Sequence, residues 1–127
     1  TLGRVIYSGG AIPNTNVPGL IGGFAGERVL RAPCDGIFTA VHRIGDTVEE
    51  GETIGFVDGT PMKCTIGGVL RGVLDDGVRV KKGMKSGDVD PRCKAEYCTT
   101  VSDKALAVGG GVVEAVLYLR AKTQGRR

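Results

Sequence analysis

The stretch GIFTAVHRIGDTVEEGETIGFV, residues 36–57, is followed 32 positions later by a stretch of the same design, GVLRGVLDDGVRVKKGMKSGDV, residues 68–89. The alignment places glycines over glycines, and valines over valines, throughout both copies. Glycine at fixed places among valines and isoleucines, without helical spacing, indicates one β supersecondary unit used twice. Because neither copy can bury its apolar face alone, we expect the two copies to close on each other.

Each copy is predicted to contain a strand, a turn, a short strand and a second, tight turn. The turns fall at glycines because only glycine adopts positive φ without steric cost. The pairs that share the offset are Gly45 and Gly77, Gly51 and Gly83, Val41 and Val73, and Val48 and Val80. We expect both valine pairs to be buried at places related by a pseudo-twofold axis.

This pattern resembles the barrel-sandwich hybrid of biotinyl and lipoyl carrier domains, through IGDTVEEG at 44–51 and DGVRVKKG at 76–83. The resemblance implies a mostly β fold, a duplicated half-barrel. We predict one domain over residues 1–127, excised from a longer protein. It has a strand and loop extension at 1–31, a β core at 32–91 and a C-terminal helix at 102–122.

Composition restricts the function classes. With 3 Phe, 3 Tyr and no Trp, the core must be aliphatic, and a net charge of +3 without a basic stripe or aromatic platforms predicts no nucleic-acid partner. No apolar run approaches the roughly 20 residues of a membrane span. No signal peptide is recognisable, so a cytoplasmic protein without membrane contact is predicted.

The flanking segments have their own patterns. Residues 5–7 and 27–32 are predicted strands, and the glycine-rich residues 19–26 match neither dinucleotide nor Walker spacing, so a structural loop is expected there. Ser102 is the expected N-cap of the helix. Three glycines at 109–111 interrupt the helical pattern and predict a close backbone approach, a kink or two shorter helices.

Lys63 is a candidate for a prosthetic group, because PMKC at 61–64 resembles the Ala-Met-Lys-Met segment of biotin carriers. The offset of 32 places Lys63 over Arg31 within a strand and leaves the hairpin tip at Gly59 and Thr60. A carrier lysine requires a projecting hairpin, so we predict that Lys63 carries neither biotin nor a lipoyl group. A carrier domain with modified Lys63 is the alternative function.

The four cysteines, Cys34, Cys64, Cys93 and Cys98, are expected to be reduced in a chain without a secretory mark. Four thiolates can form a closed zinc site. The spacing lacks paired C-x-x-C knuckles and the single histidine, His42, is isolated, so no metal is expected. Cys93 and Cys98 are weak candidates for metal ligands. A cysteine site that holds zinc or relays sulfur or selenium is a further alternative function. No catalytic triad or Cys-His spacing is present, so this domain is not expected to be an enzyme.

A second resemblance spans nearly the whole chain. In its order of segments the chain is similar to the C-terminal part of the YqeB family, accessory proteins associated with selenium-dependent molybdenum hydroxylases. The resemblance implies a role in maturation or cofactor handling of the hydroxylase, with the hydroxylase or its maturation proteins and an N-terminal Rossmann-like region as partners. It implies a link to selenium or the molybdenum cofactor but no cofactor in this domain, and leaves homo-oligomerisation open. The segments are GRVI at 3–6, PNTNVPG at 13–19, ERVLRAP at 27–33, VDPR at 89–92 and SDKALAVGGGVVEAVL at 102–117.

The candidate binding residues lie in three places: Asn14 and Asn16 in a loop flanked by prolines, Arg92 after a proline at the end of the β core, and the others around the predicted start of the helix. A helix N-terminus stabilises an anion or a thiolate, so Cys98 just before the helix could be activated there. The other interpretation is that the first helical residues only cap the helix and that the glycines let it lie close to the β core. The candidates are Asn14, Asn16, Arg92, Cys98, Ser102, Asp103 and Lys104.

Overall fold

Eight short β-strands follow the duplicated pattern in the computed structural model, which describes residues 2–125. The chain divides into two compact units, one formed by Asn16–Thr99 and the other described over residues 2–15 and 100–125. All eight strands lie in the first unit and the α-helix in the second. The strands are β1 (Val29–Arg31), β2 (Gly36–Ala40), β3 (Thr47–Val48), β4 (Thr53–Val57), β5 (Thr60–Lys63), β6 (Gly68–Val73), β7 (Arg79–Val80) and β8 (Lys85–Asp90).

The strands form two four-stranded antiparallel sheets with matching orders, β1-β8-β6-β3 and β5-β4-β2-β7. Adding 32 to the residue numbers of β1 to β4 gives the positions of β5 to β8 to within one residue, so each sheet is the counterpart of the other. The predicted duplication is therefore confirmed in the fold. The described residues are mostly β with a C-terminal helix, as predicted, and they form no closed barrel.

The two copies exchange their shortest strands. In the first sheet β3 of copy one pairs with β6 of copy two, and in the second sheet β7 of copy two pairs with β2 of copy one. The hydrogen bonds repeat the symmetry: Gly45 N donates to Leu70 O at 2.8 Å, and its counterpart Gly77 N donates to Phe38 O at 2.9 Å. This exchange joins the copies into one core.

The core is aliphatic apart from Phe38, the only phenylalanine of the three that is buried. Val48 and Val80 are 2% and 1% exposed, so the prediction for this valine pair is confirmed. Gly55 in β4 lies against the ring of Phe38, where a Cβ would approach ring carbon Cε2 within 2.6 Å. Close packing therefore excludes a side chain at this aligned glycine.

The prediction for the other valine pair is wrong. Strand β2 ends at Ala40, and the N–H groups of Val41 and His42 both donate to Ile54 O as the chain turns away, which leaves Val41 54% exposed. Val73 is only partly buried, although β6 extends to it through its pairing with Gly87. The copies differ because the β6–β8 ladder continues to the pair Val73 and Gly87, whereas in copy one two successive N–H groups converge on one carbonyl of β4 and end the regular ladder.

The turns lie at the glycines where the sequence predicted them. All four turn glycines, Gly45, Gly51, Gly77 and Gly83, have positive φ, between +83° and +101°. A two-residue turn at Asp58 and Gly59, with φ of +45° and +83°, joins β4 to β5. Both positive φ values are typical of the type I′ turns that match strand twist.

The second unit contains one uninterrupted helix, α1 (Asp103–Gln124), and an N-terminal segment packed along it. Ser102 is the N-cap, as predicted, and its Oγ accepts a hydrogen bond from Ala105 N at 3.2 Å. The glycines neither break nor split the helix. A Cβ at Gly111 would overlap the carbonyl oxygen of Gly3, so this glycine permits the close backbone approach that was one of the predicted alternatives.

Of the two strands predicted in the N-terminal segments, one is absent and the other is shorter than predicted. Residues 5–7 form no strand, because they lie along α1 instead of beside another strand; Tyr7 Oη donates to Glu114 at 2.6 Å, and its ring meets Tyr118 edge-on. The strand predicted at 27–32 is confirmed only at Val29–Arg31, which form β1, because a 3-10 helix (Gly26–Arg28) precedes it. Arg28 in this 3-10 helix is buried, and its guanidinium donates to Gly19 O and to Asp88 Oδ2.

We predict that Phe38→Ala lowers the free energy of unfolding by about 3–5 kcal/mol, the usual cost of emptying a fully buried aromatic site. Urea unfolding followed by circular dichroism measures the loss. Val41→Ala, at the exposed position, is the matched control and should change the free energy by less than about 0.5 kcal/mol. Equal losses in both variants would contradict the position of the core.

We further predict opposite effects for two adjacent glycines of α1. Gly110→Ala should stabilise the helix by about 1 kcal/mol, because alanine is the better helix former and nothing lies within 4 Å of the added Cβ. Gly111→Ala should destabilise it, because the added Cβ overlaps Gly3. Thermal unfolding of both variants, monitored by helical circular dichroism, tests the difference in sign.

Candidate functional site

The candidate site lies where the chain leaves β8, in the first sheet, at Asp90. Asp90 is the last residue of β8 and is 1% exposed. The next residues, 91–94, turn away from the sheet and lead to a 3-10 helix (Ala95–Cys98). A proline at 91 cannot donate to a ladder, which explains why β8 ends here.

Arg92 binds the buried carboxylate of Asp90 through two nitrogens. Its Nη2 donates to Oδ2 at 2.7 Å and its Nε to Oδ1 at 2.9 Å, while its backbone N–H also donates to Oδ1 at 3.0 Å. These bonds hold the pKa of Asp90 below its usual range. A second arginine, Arg71 of β6, approaches Oδ2 at 3.7 Å. The buried charge is therefore compensated from two sides, as a buried carboxylate requires.

The guanidinium of Arg92 also lies over the ring of Tyr97, 4.1 Å from its centroid, and Lys94 Nζ lies 5.5 Å from the same centroid. A cation over an aromatic face is attracted by the negative ring face. Asp90 and Tyr97 thus fix Arg92, whose side chain is 37% exposed, between a buried carboxylate and an aromatic ring. This arrangement, residues 90–98 with Arg71, is called the exit corner below.

The glycine-rich loop reaches the same corner. Gly22 lies against Pro91, whose Cγ would be 3.0 Å from an added Cβ. The loop is tied to the sheet by buried Arg28, which donates to Gly19 O at 3.0 Å and to Asp88 Oδ2 at 3.1 Å. Nε of Arg28 and Oδ1 of Asp88 are buried without a partner among the described residues. A small rotation that joined these two atoms would complete a bidentate pair.

The predicted site residues are divided between the two units. Arg92, Cys93 and Cys98 belong to the exit corner, and Asn16, with φ of +59°, lies in the same unit, where its carbonyl accepts from Arg31 at 3.1 Å. The other candidates, Asn14, Ser102, Asp103 and Lys104, belong to the unit with α1. The predictions from sequence did not include the residues that organise the corner, which are Asp90, Arg71, Arg28 and Tyr97. The sequence pattern that could have indicated Asp90 is a pair of acidic residues on either side of Val89 at the end of a predicted strand.

The cysteines lie in different surroundings, and all four thiols are free. Cys64 is buried and donates to Glu49 O at 2.9 Å; burial raises the pKa of its thiol, which disfavours the thiolate. Cys98 makes a long contact of 3.7 Å from Sγ to Leu70 O, and Cys93 is exposed with φ of +54°. Within residues 2–125 no group of three His, Cys, Asp or Glu side chains is placed to hold a metal ion.

Lys63 is the last residue of β5 and pairs with Thr53, while the tip of its hairpin is formed by Asp58 and Gly59. Its counterpart Arg31 is likewise the last residue of β1, as the offset predicted. The side chain of Lys63 is exposed, but it leaves the end of an edge strand instead of a projecting turn. The predicted position of Lys63 within a strand is confirmed.

We predict that the Asp90 cluster makes stability depend on acid pH. Because the pKa of folded Asp90 is lowered, its contribution is present above the unfolded value of about 3.9 and is lost as pH falls through the folded pKa. Asp90→Asn should cost about 1.5–3 kcal/mol at neutral pH, the usual range for hydrogen bonds to a charged group. The difference from the parent protein should shrink below about pH 4.

Urea unfolding at a series of pH values measures this dependence. Asp75→Asn is the matched control, since Asp75 is exposed, and it should leave the pH profile unchanged. A parent protein and an Asp90→Asn variant with parallel profiles down to pH 2 would contradict the role of the carboxylate.

Comparison with known proteins places this geometry in context. No protein-family model matches the chain. An aspartoacylase family protein from Mesorhizobium loti matches 50% of this chain and 22% of its own, with 17% identity and a TM-score of 0.46. A succinylglutamatedesuccinylase/aspartoacylase from Rhodobacter sphaeroides matches 50% of this chain and 21% of its own, with 27% identity and a TM-score of 0.43. Similarities of this size carry no conclusion about function.

A sequence relative gives a stronger match. The uncharacterized protein YqeB of Escherichia coli K12 is 48% identical over 118 residues, which are 93% of this chain and 22% of YqeB. The chain thus spans about a fifth of the length of that relative. No helix among residues 2–125 is long and apolar enough to cross a membrane. An identity of 48% over nearly all of this chain supports its assignment to the YqeB family.

Proposed function

We propose that this chain is a non-catalytic module of a cytoplasmic accessory protein that helps to mature a selenium-dependent molybdenum hydroxylase or to handle its cofactor. The observation that carries the proposal is the 48% identity to YqeB over 93% of the chain. Resemblance to that family implies the hydroxylase pathway. The module would act together with the rest of a longer polypeptide, and its partner would be the hydroxylase or another maturation protein.

The architecture we assign to the module is a barrel-sandwich hybrid. The exchanged pairs β3 with β6 and β7 with β2 support this assignment, because each copy completes the sheet of the other. One fold of this kind can serve many functions. The segments that follow the two copies differ, and they are therefore more informative about function than the shared fold. Copy one continues into a hairpin, and copy two continues into the exit corner, which we assign as the recognition surface.

The exit corner suits a partner with an acidic group. Arg71, Arg92 and Lys94 stand against Asp90 and the exposed Glu96, so basic side chains are in a slight excess. Arg92 is fixed before any partner arrives, which reduces the entropy lost when it binds. A carboxylate or phosphate group is what a positioned guanidinium recognises well.

Two alternative functions, a carrier domain and a sulfur or selenium relay, each require a particular residue to be functional. A carrier domain requires a modified Lys63, whose place in an edge strand opposes such a role. A sulfur or selenium relay requires a reactive thiol, and Cys98 in the exit corner is the cysteine best placed for it. Substitutions at Lys63 and Cys98 therefore distinguish these two functions from the proposed one.

The test removes the codons for residues 1–127 from the chromosomal gene and measures hydroxylase activity, together with molybdenum and selenium bound to the purified hydroxylase. We expect activity to fall at least tenfold while the hydroxylase polypeptide is still made. Arg92→Ala should weaken maturation, and Lys63→Arg and Cys98→Ser should leave it unchanged.

Full activity after the deletion would overturn the proposed function. Loss of activity in Lys63→Arg, with a mass increase on Lys63 in the parent protein, would favour the carrier domain instead. Loss in Cys98→Ser alone would favour the relay. Val41→Ala, at an exposed position away from the exit corner, controls for effects of any surface change.

A further inference from the structure

Two stripes of side chains among those on the helix α1 have the same spacing, and only one of the two contacts the N-terminal segment. The covered stripe contains Ala107, Gly111, Glu114 and Tyr118, at intervals of four, three and four residues, which lie on one face of a helix. The backbone of Gly3 lies against Ala107 and Gly111, and Tyr7 contacts Glu114 and Tyr118. The N-terminal segment therefore occupies this face.

The second stripe has the same spacing, begins one residue earlier and faces open space. It consists of Leu106, Gly110, Val113 and Leu117, and is called the 106–117 stripe below. Its three large side chains are 63%, 59% and 60% exposed, and a Cβ at Gly110 would have nothing within 4 Å among the described residues. On the covered stripe, the glycine at the same place admits a neighbouring backbone.

Two physical arguments indicate that this stripe has a partner. A helix that is apolar on all sides is ordinarily buried, yet α1 contains no buried residue. Glycine inside a helix is unfavourable relative to alanine, and the contact that explains Gly111 has no counterpart at Gly110. Large apolar groups around a glycine, at alternating intervals of four and three residues, are suited to close packing of a second helix.

We propose that the 106–117 stripe packs against an α-helix from the part of the longer YqeB-like polypeptide that lies outside the aligned region. The inference rests on the proposed function in one respect, namely that the chain is a module of a longer protein. The chain corresponds to 22% of YqeB, so most of that polypeptide is available as the occupant. A tether within one polypeptide raises the effective concentration of such a segment to the millimolar range.

The size of the stripe disfavours a second copy of this chain. The stripe spans 12 residues, and at about 1.5 Å per residue and roughly 10 Å width it offers a contact strip of roughly 180 Å². Stable complexes between separate proteins bury about 800 Å² on each partner. A strip of this size suits a contact within one polypeptide, where association does not depend on protein concentration.

Site-specific photo-crosslinking in the full polypeptide tests the proposal. Benzoylphenylalanine replaces Val113 in one variant and Leu119 in the other; both positions are 59% exposed, but Leu119 lies outside the 106–117 stripe. Preparations labelled with ¹⁴N and ¹⁵N are mixed before irradiation, so peptide masses separate links within one molecule from links between two. We expect Val113 to link to a peptide outside residues 1–127 of the same molecule, with at least five times the yield of Leu119.

Several outcomes would overturn the proposal: links from position 113 to residues 16–99 of the same molecule, links to α1 of a second molecule, links to lipid, or equal yields at both positions. An intact native polypeptide no longer than these 127 residues would also overturn it. Hydroxylase activity is not read out here, so an error in the pathway assigned above would not alter the result.

A second measurement does not depend on an unnatural residue. In the full polypeptide, Val113→Cys should react with maleimide at least ten times more slowly than Leu119→Cys, with the native cysteines followed separately by peptide mapping. Equal rates would mean that position 113 is uncovered and that the proposal is wrong.

Discussion

Each half of the β unit depends on a two-residue strand that the other half supplies. Strands β3 and β7 are too short to be stable alone, but each places one buried valine, Val48 or Val80, into the shared core. The backbone bonds that hold them are also paired by symmetry, as in Leu70 N to Asp46 O at 2.8 Å and Phe38 N to Val78 O at 2.9 Å. Neither half can therefore keep its core dry without the other, and the duplication folds as one unit.

The symmetry ends where the chain must leave the sheets, and the functional candidates arise from that break. Asp58 and Asp90 are counterparts separated by 32 positions. Asp58 accepts a hydrogen bond from Ile37 N at 3.0 Å and starts the tight turn into β5. Asp90 instead accepts from Arg92 and is followed by Pro91, so the chain exits. One position thus serves as a hairpin turn in copy one and as the anchor of a fixed arginine in copy two.

The helical unit, unlike the β unit, leaves most of its large apolar side chains exposed. Its N-terminal segment and α1 hold together through a few specific contacts, Gly3 with Gly111 and Tyr7 with Glu114 and Tyr118, while eight large apolar side chains between Leu106 and Leu119 are at least 45% exposed. A β core buries its apolar face by closing on its own duplicate. The helix has no duplicate among residues 2–125, and its apolar side chains are exposed there, which is the observation behind the proposed partner.

The sequence by itself determined the duplication, the turn glycines, the strand position of Lys63 and the capped helix from Ser102. These follow from local rules, since positive φ, N-cap bonding and the period of apolar residues are decided within a few neighbouring residues. Only the tertiary structure decided that Val41 is exposed, that residues 5–7 lie along α1, and that Asp90, Arg71 and Tyr97 meet around Arg92. Each of these depends on which distant strand or helix lies next to a residue and on how the two pair. Strand β2 ends at Ala40 because the next two N–H groups converge on Ile54 O, although valine at 41 favours a strand.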